Sequence, residues 1–171
     1  MQTHRDSSQT LGRFFIWFAW VAALGLLYYF FDGALNKQLN PNQQVTSYHQ
    51  GGHAVVVLQQ NRAGHYLANG AINERPVTFL LDTGATQVAI PGSMAKSLGL
   101  SQGRQVQVRT ANGIAVAYQT QLDHLQLGDI HLYQVAATIV PDYHSEHILL
   151  GMSALRALEF TQRDGQLTIR Q

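Results

Sequence analysis

The chain reads as an all-β domain with one or two short helices, standing behind a single N-terminal membrane-spanning helix. Three observations predict this. Apolar residues after about residue 53 alternate over short runs, the period of strands. Those runs are punctuated by Asn-Gly, Asp-Gly and Gly-Asp pairs, the residues that tight hairpins require. Phe14 to Phe31, by contrast, is an unbroken run without a charge.

That run, FFIWFAWVAALGLLYYFF, would reach roughly 27 Å as a helix, close to the ~30 Å of a bilayer's hydrocarbon core. Trp17 and Trp20 near one end and Tyr28 and Tyr29 near the other suit the two interfaces. A cleaved signal peptide is the rival reading. The run is longer than a usual signal core, and Asp32-Gly33-Ala34 places an acid where a small residue is needed, which favours an uncleaved anchor. Arg5 and Arg13 precede the span and Lys37 follows it. The basic bias therefore puts residues 1–13 in the cytoplasm and the C-terminal domain outside it, in the periplasm if the membrane is a bacterial inner membrane.

Residues 32–52 read as a flexible linker, rich in Asn and Gln and ending in Gly51-Gly52. Residues 53–171 then form one domain of ordinary size. Ala54 to Leu58 and His65 to Ile72 read as strands around a turn at Asn61 to Gly64. Val77 to Leu81 is a strand buried on both faces, and Gln87 to Ile90 is another. Pro91-Gly92-Ser93 opens a short helix, Met94 to Leu98, stopped by Gly99. Gln105 to Thr110 and Ile114 to Leu122 flank Asn112-Gly113, a strong hairpin signal. Leu125 to Leu127, Ile130 to Leu132, Val135 to Val140 and Ile148 to Leu150 are further strands. Ser153 to Leu158 is a helical turn or two with Ser153 as its cap. Glu159 to Arg163 and Gln166 to Arg170 pair around Asp164-Gly165.

Composition narrows the chemistry. With 11 basic and 10 acidic residues the net charge is +1, which gives no electrostatic case for nucleic-acid binding. The chain has no cysteine, so thiol catalysis and thiolate metal sites are excluded. His144, Glu146 and His147 cluster in a loop, but third and fourth metal ligands are not evident, and no metal or cofactor is expected. No serine stands in a nucleophile elbow and no phosphate-binding glycine loop occurs.

What remains is Asp82-Thr83-Gly84-Ala85-Thr86, delivered by the strand Val77-Thr78-Phe79-Leu80-Leu81. Gly84 permits a tight turn and Thr83 can lock it, so one carboxylate is presented on a rigid loop. Taken alone, Asp-Thr-Gly is more often a simple Asx turn at a strand end. Two other segments change that balance. The hairpin tipped by Thr110-Ala111-Asn112-Gly113 lies between the turn and the end of the domain, and Leu149-Leu150-Gly151 precedes a short helix.

Phe79 to Thr86, that hairpin and Leu149-Leu150-Gly151 together resemble the retropepsin-like aspartic proteases. The similarity lies with the single-lobed retroviral type, and within it with the membrane-anchored single-domain group of bacteria. It spans roughly Gly64 to Gln171. It implies a single-lobe acid-protease barrel with Asp82 as the catalytic carboxylate and the hairpin as a flap over a protein or peptide substrate. It also implies that Leu149-Leu150-Gly151 supports the catalytic turn in a ψ-shaped loop. The chain departs from the pattern where Met152 and Ser153 replace the polar, Arg-containing segment that follows the glycine, which bears on dimer contacts.

Peptide hydrolysis by carboxylates needs two of them sharing a proton, and no other Asp here is followed by Ser/Thr-Gly. The resemblance therefore implies a homodimer supplying Asp82 from each chain, with Thr83 bracing the two turns. The C-terminal strand, Gln166 to Arg170, is expected at a sheet edge as the intersubunit strand. The alternative is a membrane-tethered binding or assembly module that keeps the fold and cleaves nothing.

Overall fold

The computed structural model describes residues 7–110 and 113–171. It contains two compact units, one ending at Lys37 and one spanning Gln38–Gln171. The described part of the first is helix α1 (Ser7–Leu39), whose last two residues belong to the second. From Phe14 to Phe31 its large apolar side chains are exposed. It is long and apolar enough to cross a membrane.

The second unit is built of strands, as the alternation predicts. A four-stranded sheet has the order β1-β2-β11-β10, from β1 (Thr46–Gln50), β2 (His53–Gln59), β10 (Glu159–Arg163) and β11 (Gln166–Arg170). The larger sheet runs β3-β4-β9-β5-β8-β7-β6. Its members are β3 (Leu67–Ile72), β4 (Arg75–Leu81), β5 (Val88–Pro91), β6 (Gln105–Thr110), β7 (Gly113–Leu127), β8 (Ile130–Val140) and β9 (Ile148–Leu150). Pairing of Ala71 with Gln126 and Ile72 with Leu125 brings β3 back onto β7, which curls the sheet toward a barrel. The core fills the interior with Phe79, Ile72, Ile90, Leu122, Leu125 and Ile148, all essentially inaccessible to solvent. Leu58 and Ile169 of the small sheet belong to the same core. Truncating a side chain such as Phe79 to Ala would cost about 3–5 kcal/mol.

Three expectations need correction. Residues 32–52 are not a free linker: α1 continues to Leu39, and β1 pairs with β2 from Thr46↔Val57 to Gln50↔His53. The reason is polar and escapes a hydropathy reading. Asn42 is buried, and its side-chain amide donates to the Gln59 and Leu67 carbonyls while its oxygen accepts the Gln59 N–H. Asn40 donates to Asn69, and Asn69 donates to the Gln43 carbonyl. One asparagine thus satisfies strand groups that a neighbouring strand would otherwise have to satisfy.

The C-terminal strand is likewise not an edge. β11 lies between β2 and β10, with Leu167 and Ile169 buried, and the exposed edges of that sheet are β1 and β10. Finally, the strands expected separately at residues 114–122 and 125–127 are one bent strand, β7, and those at 130–132 and 135–140 are one strand, β8. The two short helices are α2 (Gly92–Ala95) and α3 (Met152–Leu155).

Candidate active site

Asp82 leaves the end of β4, and the chain re-enters the sheet at Val88. Between the two strands runs β9, parallel to β4 through Phe79↔Ile148, Leu80↔Leu149 and Leu81↔Leu150, and antiparallel to β5 at Ala89↔Leu149. The Asp82 turn therefore loops around the end of β9. Leu149, Leu150 and Gly151 sit beneath it.

The clamp is made of backbone hydrogen bonds. The Asp82 N–H donates to the Leu150 carbonyl (3.2 Å), the Met152 N–H to Ala85 (2.8 Å) and the Ser153 N–H to Thr86 (3.0 Å). Gly151 has extended φ and ψ, so its requirement is not conformational. A Cβ there would collide with the Gln87 carbonyl oxygen and lie 2.6 Å from that of Ala85. Only hydrogen fits beneath the turn.

Ser153 does something other than the capping role its position suggests. The N-cap of α3 is Gly151, which makes no side-chain capping bond, and the Ser153 hydroxyl accepts the Val88 N–H at 2.9 Å. It ties α3 to the strand leaving the turn. Hydropathy and capping rules give no sign of this contact, because the bond spans 65 residues.

Within the turn, the Gly84 N–H donates to Asp82 Oδ1 at 2.8 Å, and the Ala85 N–H donates to the Asp82 carbonyl at 3.2 Å. This is the Asx-turn geometry, and it fixes the carboxylate's orientation. Asp82 and Ala85 are half-buried, while Thr83, Gly84 and Thr86 are exposed. Asp82 and Thr83 open onto a cleft of about 240 Å³ whose other walls include Tyr66, Leu81, Phe160 and Gln162. β10 thus shares the cleft with the carboxylate. Tyr66 is buried in this wall and its hydroxyl has no hydrogen-bond partner.

The hairpin β6–β7 forms with the register Gln105↔Tyr118 to Thr110↔Gly113. Ala111 and Asn112 of the expected flap tip lie outside the described residues. Thr110 donates its hydroxyl to the Gly113 carbonyl at 2.9 Å, and Gly113 has φ +114°, which favours glycine. Val106, Val108 and Ala115 on one face are half-buried, whereas Ile114 and Val116 on the other are exposed. No described hairpin residue lines the Asp82 cleft. No group of three or more metal-ligating side chains occurs among the described residues.

A barrel with a single Asp-Thr-Gly turn looped around an apolar-apolar-Gly strand is the retropepsin-like aspartic-protease fold. The comparisons agree. Residues 68–157, more than half of the chain, match the model of the gag-polyprotein putative aspartyl protease family, and the chain belongs to that family. Among solved structures it is similar to a retropepsin-like aspartic protease from Rickettsia conorii. The TM-score there is 0.58, with 22% identity over 74% of this chain and 94% of that one. The protease of EIAV, solved with an inhibitor, matches with TM-score 0.45 and 20% identity over 57% of this chain and 90% of that one. An uncharacterized Sinorhizobium protein from the cobV 5′ region is 29% identical over 99% of this chain and 77% of its own length.

Proposed function

We propose that the chain is a membrane-anchored aspartic endopeptidase that works as a homodimer, with Asp82 of each copy forming the catalytic pair. The observation that carries this reading is the Asp82 turn itself. One carboxylate, oriented by the Gly84 N–H and clamped from below by β9, stands half-buried in a cleft. Among the described residues Asp82 is the only carboxylate lining that cleft, and a dyad needs two.

In the proposed reaction, one Asp82 is ionised and takes a proton from a water that attacks the scissile carbonyl. The partner subunit's Asp82 is protonated and gives its proton to the carbonyl oxygen, forming a gem-diol. The C–N bond then breaks as the first Asp82 passes its new proton to the amine nitrogen, and the partner's carboxylate takes back a proton from a gem-diol hydroxyl. The Gly84 N–H holds Oδ1, which leaves Oδ2 for the water or the shared proton. Thr83, exposed at the apex of the turn, is available to brace the second turn. The hairpin Thr110–Gly113, with Ala111 and Asn112, acts as the flap that closes over an extended peptide and excludes water.

α1 supplies the anchor through residues 14–31. The excess of Arg before it supports an N-terminus in the cytoplasm and the protease domain in the periplasm of a bacterium, and the Rickettsia and Sinorhizobium relatives fit such a source. The test is peptide-library hydrolysis by the full-length protein beside Asp82→Asn, which keeps the shape of the side chain and removes the base. Hydrolysis lost in a folded variant supports the mechanism. Hydrolysis retained in a clean preparation contradicts it.

A further inference from the structure

We infer that the exposed edge strand β10 is the dimer-forming surface, and that it pairs antiparallel with β10 of a second copy about a two-fold axis at Thr161. This rests on the dyad reading above and specifies its partner and register. Three observations lead to it.

First, β10 is an edge on whose outer side no strand pairs among the described residues: β11 pairs with its inner side from Glu159↔Arg170 to Arg163↔Gln166, and all five of its residues are exposed. An edge strand with unpaired N–H and C=O groups is a template for another strand. Second, β10 shares the Asp82 cleft through Phe160 and Gln162, and Phe160 is 44% exposed. A second copy that brings its own Asp82 to this cleft meets a wall to which β10 contributes, and on the dyad reading the cleft is catalytically incomplete without that copy.

The third observation is charge. The sequence of β10 is Glu159-Phe160-Thr161-Gln162-Arg163. Antiparallel pairing with itself about Thr161 sets Glu159 opposite the partner's Arg163, and Arg163 opposite the partner's Glu159. Two opposite-charge cross-strand pairs form at once. Phe160 meets the partner's Gln162 on the cleft side, while Glu159, Thr161 and Arg163 share the other face. In one chain Arg163 lies 3.5 Å from Asp164, with both side chains almost fully exposed, a contact that competes weakly. The other free edge, β1, offers no such match: pairing Thr46-Ser47-Tyr48-His49-Gln50 with itself opposes no acid to a base, and none of its residues lines the Asp82 cleft.

The absence of cysteine makes the test clean. Full-length protein in detergent micelles, carrying Thr161→Cys or Glu159→Cys, is oxidised and run on a non-reducing gel. Thr161→Cys should form a covalent dimer. Glu159→Cys should not, since four residues of register hold the two copies of position 159 roughly 13 Å apart along the strands.

In parallel, dimer affinity is measured by sedimentation. Glu159→Arg and Arg163→Glu should each weaken the dimer about tenfold, by turning two attractions into two repulsions. The double exchange should return it to within roughly threefold of the unaltered protein, since both pairs are restored with the signs reversed.

Cross-linking no stronger at 161 than at 159, a double exchange no tighter than the single ones, or a strictly monomeric protein would each overturn the β10 register. A dimer indifferent to all these changes refutes this surface and leaves the dyad standing. The expected dimer without any peptide cleavage refutes the protease reading and leaves the surface standing.

Discussion

Gly151→Ala should damage catalysis far more than it damages the fold. The added methyl lies 2.6 Å from the Ala85 carbonyl oxygen, 2.8 Å from the Gln87 carbonyl carbon and closer still to the Gln87 carbonyl oxygen. Ordinary contact needs about 3.4 Å or more, so the Ala85–Gln87 segment must retreat by about 1 Å. None of the offending atoms belongs to a flexible side chain that could step aside. Retreat stretches the Met152-to-Ala85 and Ser153-to-Thr86 hydrogen bonds and displaces the turn that carries Asp82.

Overpacking of this kind costs typically 1–3 kcal/mol, which a domain of this size survives. A displacement of about 1 Å at a reacting group costs on the order of a hundredfold in rate. The assay is kcat/KM on a cleaved peptide beside a thermal melt of the same full-length sample. Near-native melting with activity down about a hundredfold is expected. Activity within a factor of about three of the unaltered protein would refute the claim that β9 holds the catalytic turn in place.

Other expectations follow the same logic. Asn42→Ala should lower stability by about 3 kcal/mol, since three side-chain hydrogen bonds go and the Gln59 N–H and Leu67 carbonyl lose their partner. A melting temperature lowered by roughly 10 °C, with residues 40–50 becoming protease-sensitive, would show it. Tyr66→Phe should leave the melting temperature unchanged or raise it, because the buried hydroxyl it removes has no partner; a fall of more than about 5 °C would mean that the hydroxyl is satisfied. Gly113→Val should lower turnover more than stability, since φ +114° suits no β-branched residue; full activity would argue against the hairpin as a flap.

Much of this architecture was legible in the residues. Alternation in Gln105–Thr110, Glu159–Arg163 and Gln166–Arg170 gave those strands to the residue, because each is a hairpin arm whose register its turn dictates. The Asp82 turn was legible because glycine and threonine at fixed offsets leave the backbone few choices. The meeting of that turn with Leu149-Leu150-Gly151 was not written in spacing and came from family resemblance, since 69 residues separate Asp82 from Gly151.

What escaped was polar and non-local. Asn42 gives no hydropathic signal, yet its amide docks a segment that composition marks as a linker. Ser153 looks like a cap and instead serves a strand far away in sequence. The position of β11 inside its sheet depends on its pairing with β2, more than a hundred residues earlier, and no local pattern reports that.

Subunit mixing tests the central claim most directly. Full-length protein is combined with increasing Asp82→Asn protein at constant total concentration, allowed to exchange subunits, and assayed for peptide hydrolysis. If each active site needs Asp82 from two copies, mixed dimers are dead and activity follows the square of the unaltered fraction, about a quarter at equal amounts. Activity that falls in simple proportion, to about a half at equal amounts, would mean that each chain carries a complete site and would contradict the shared dyad.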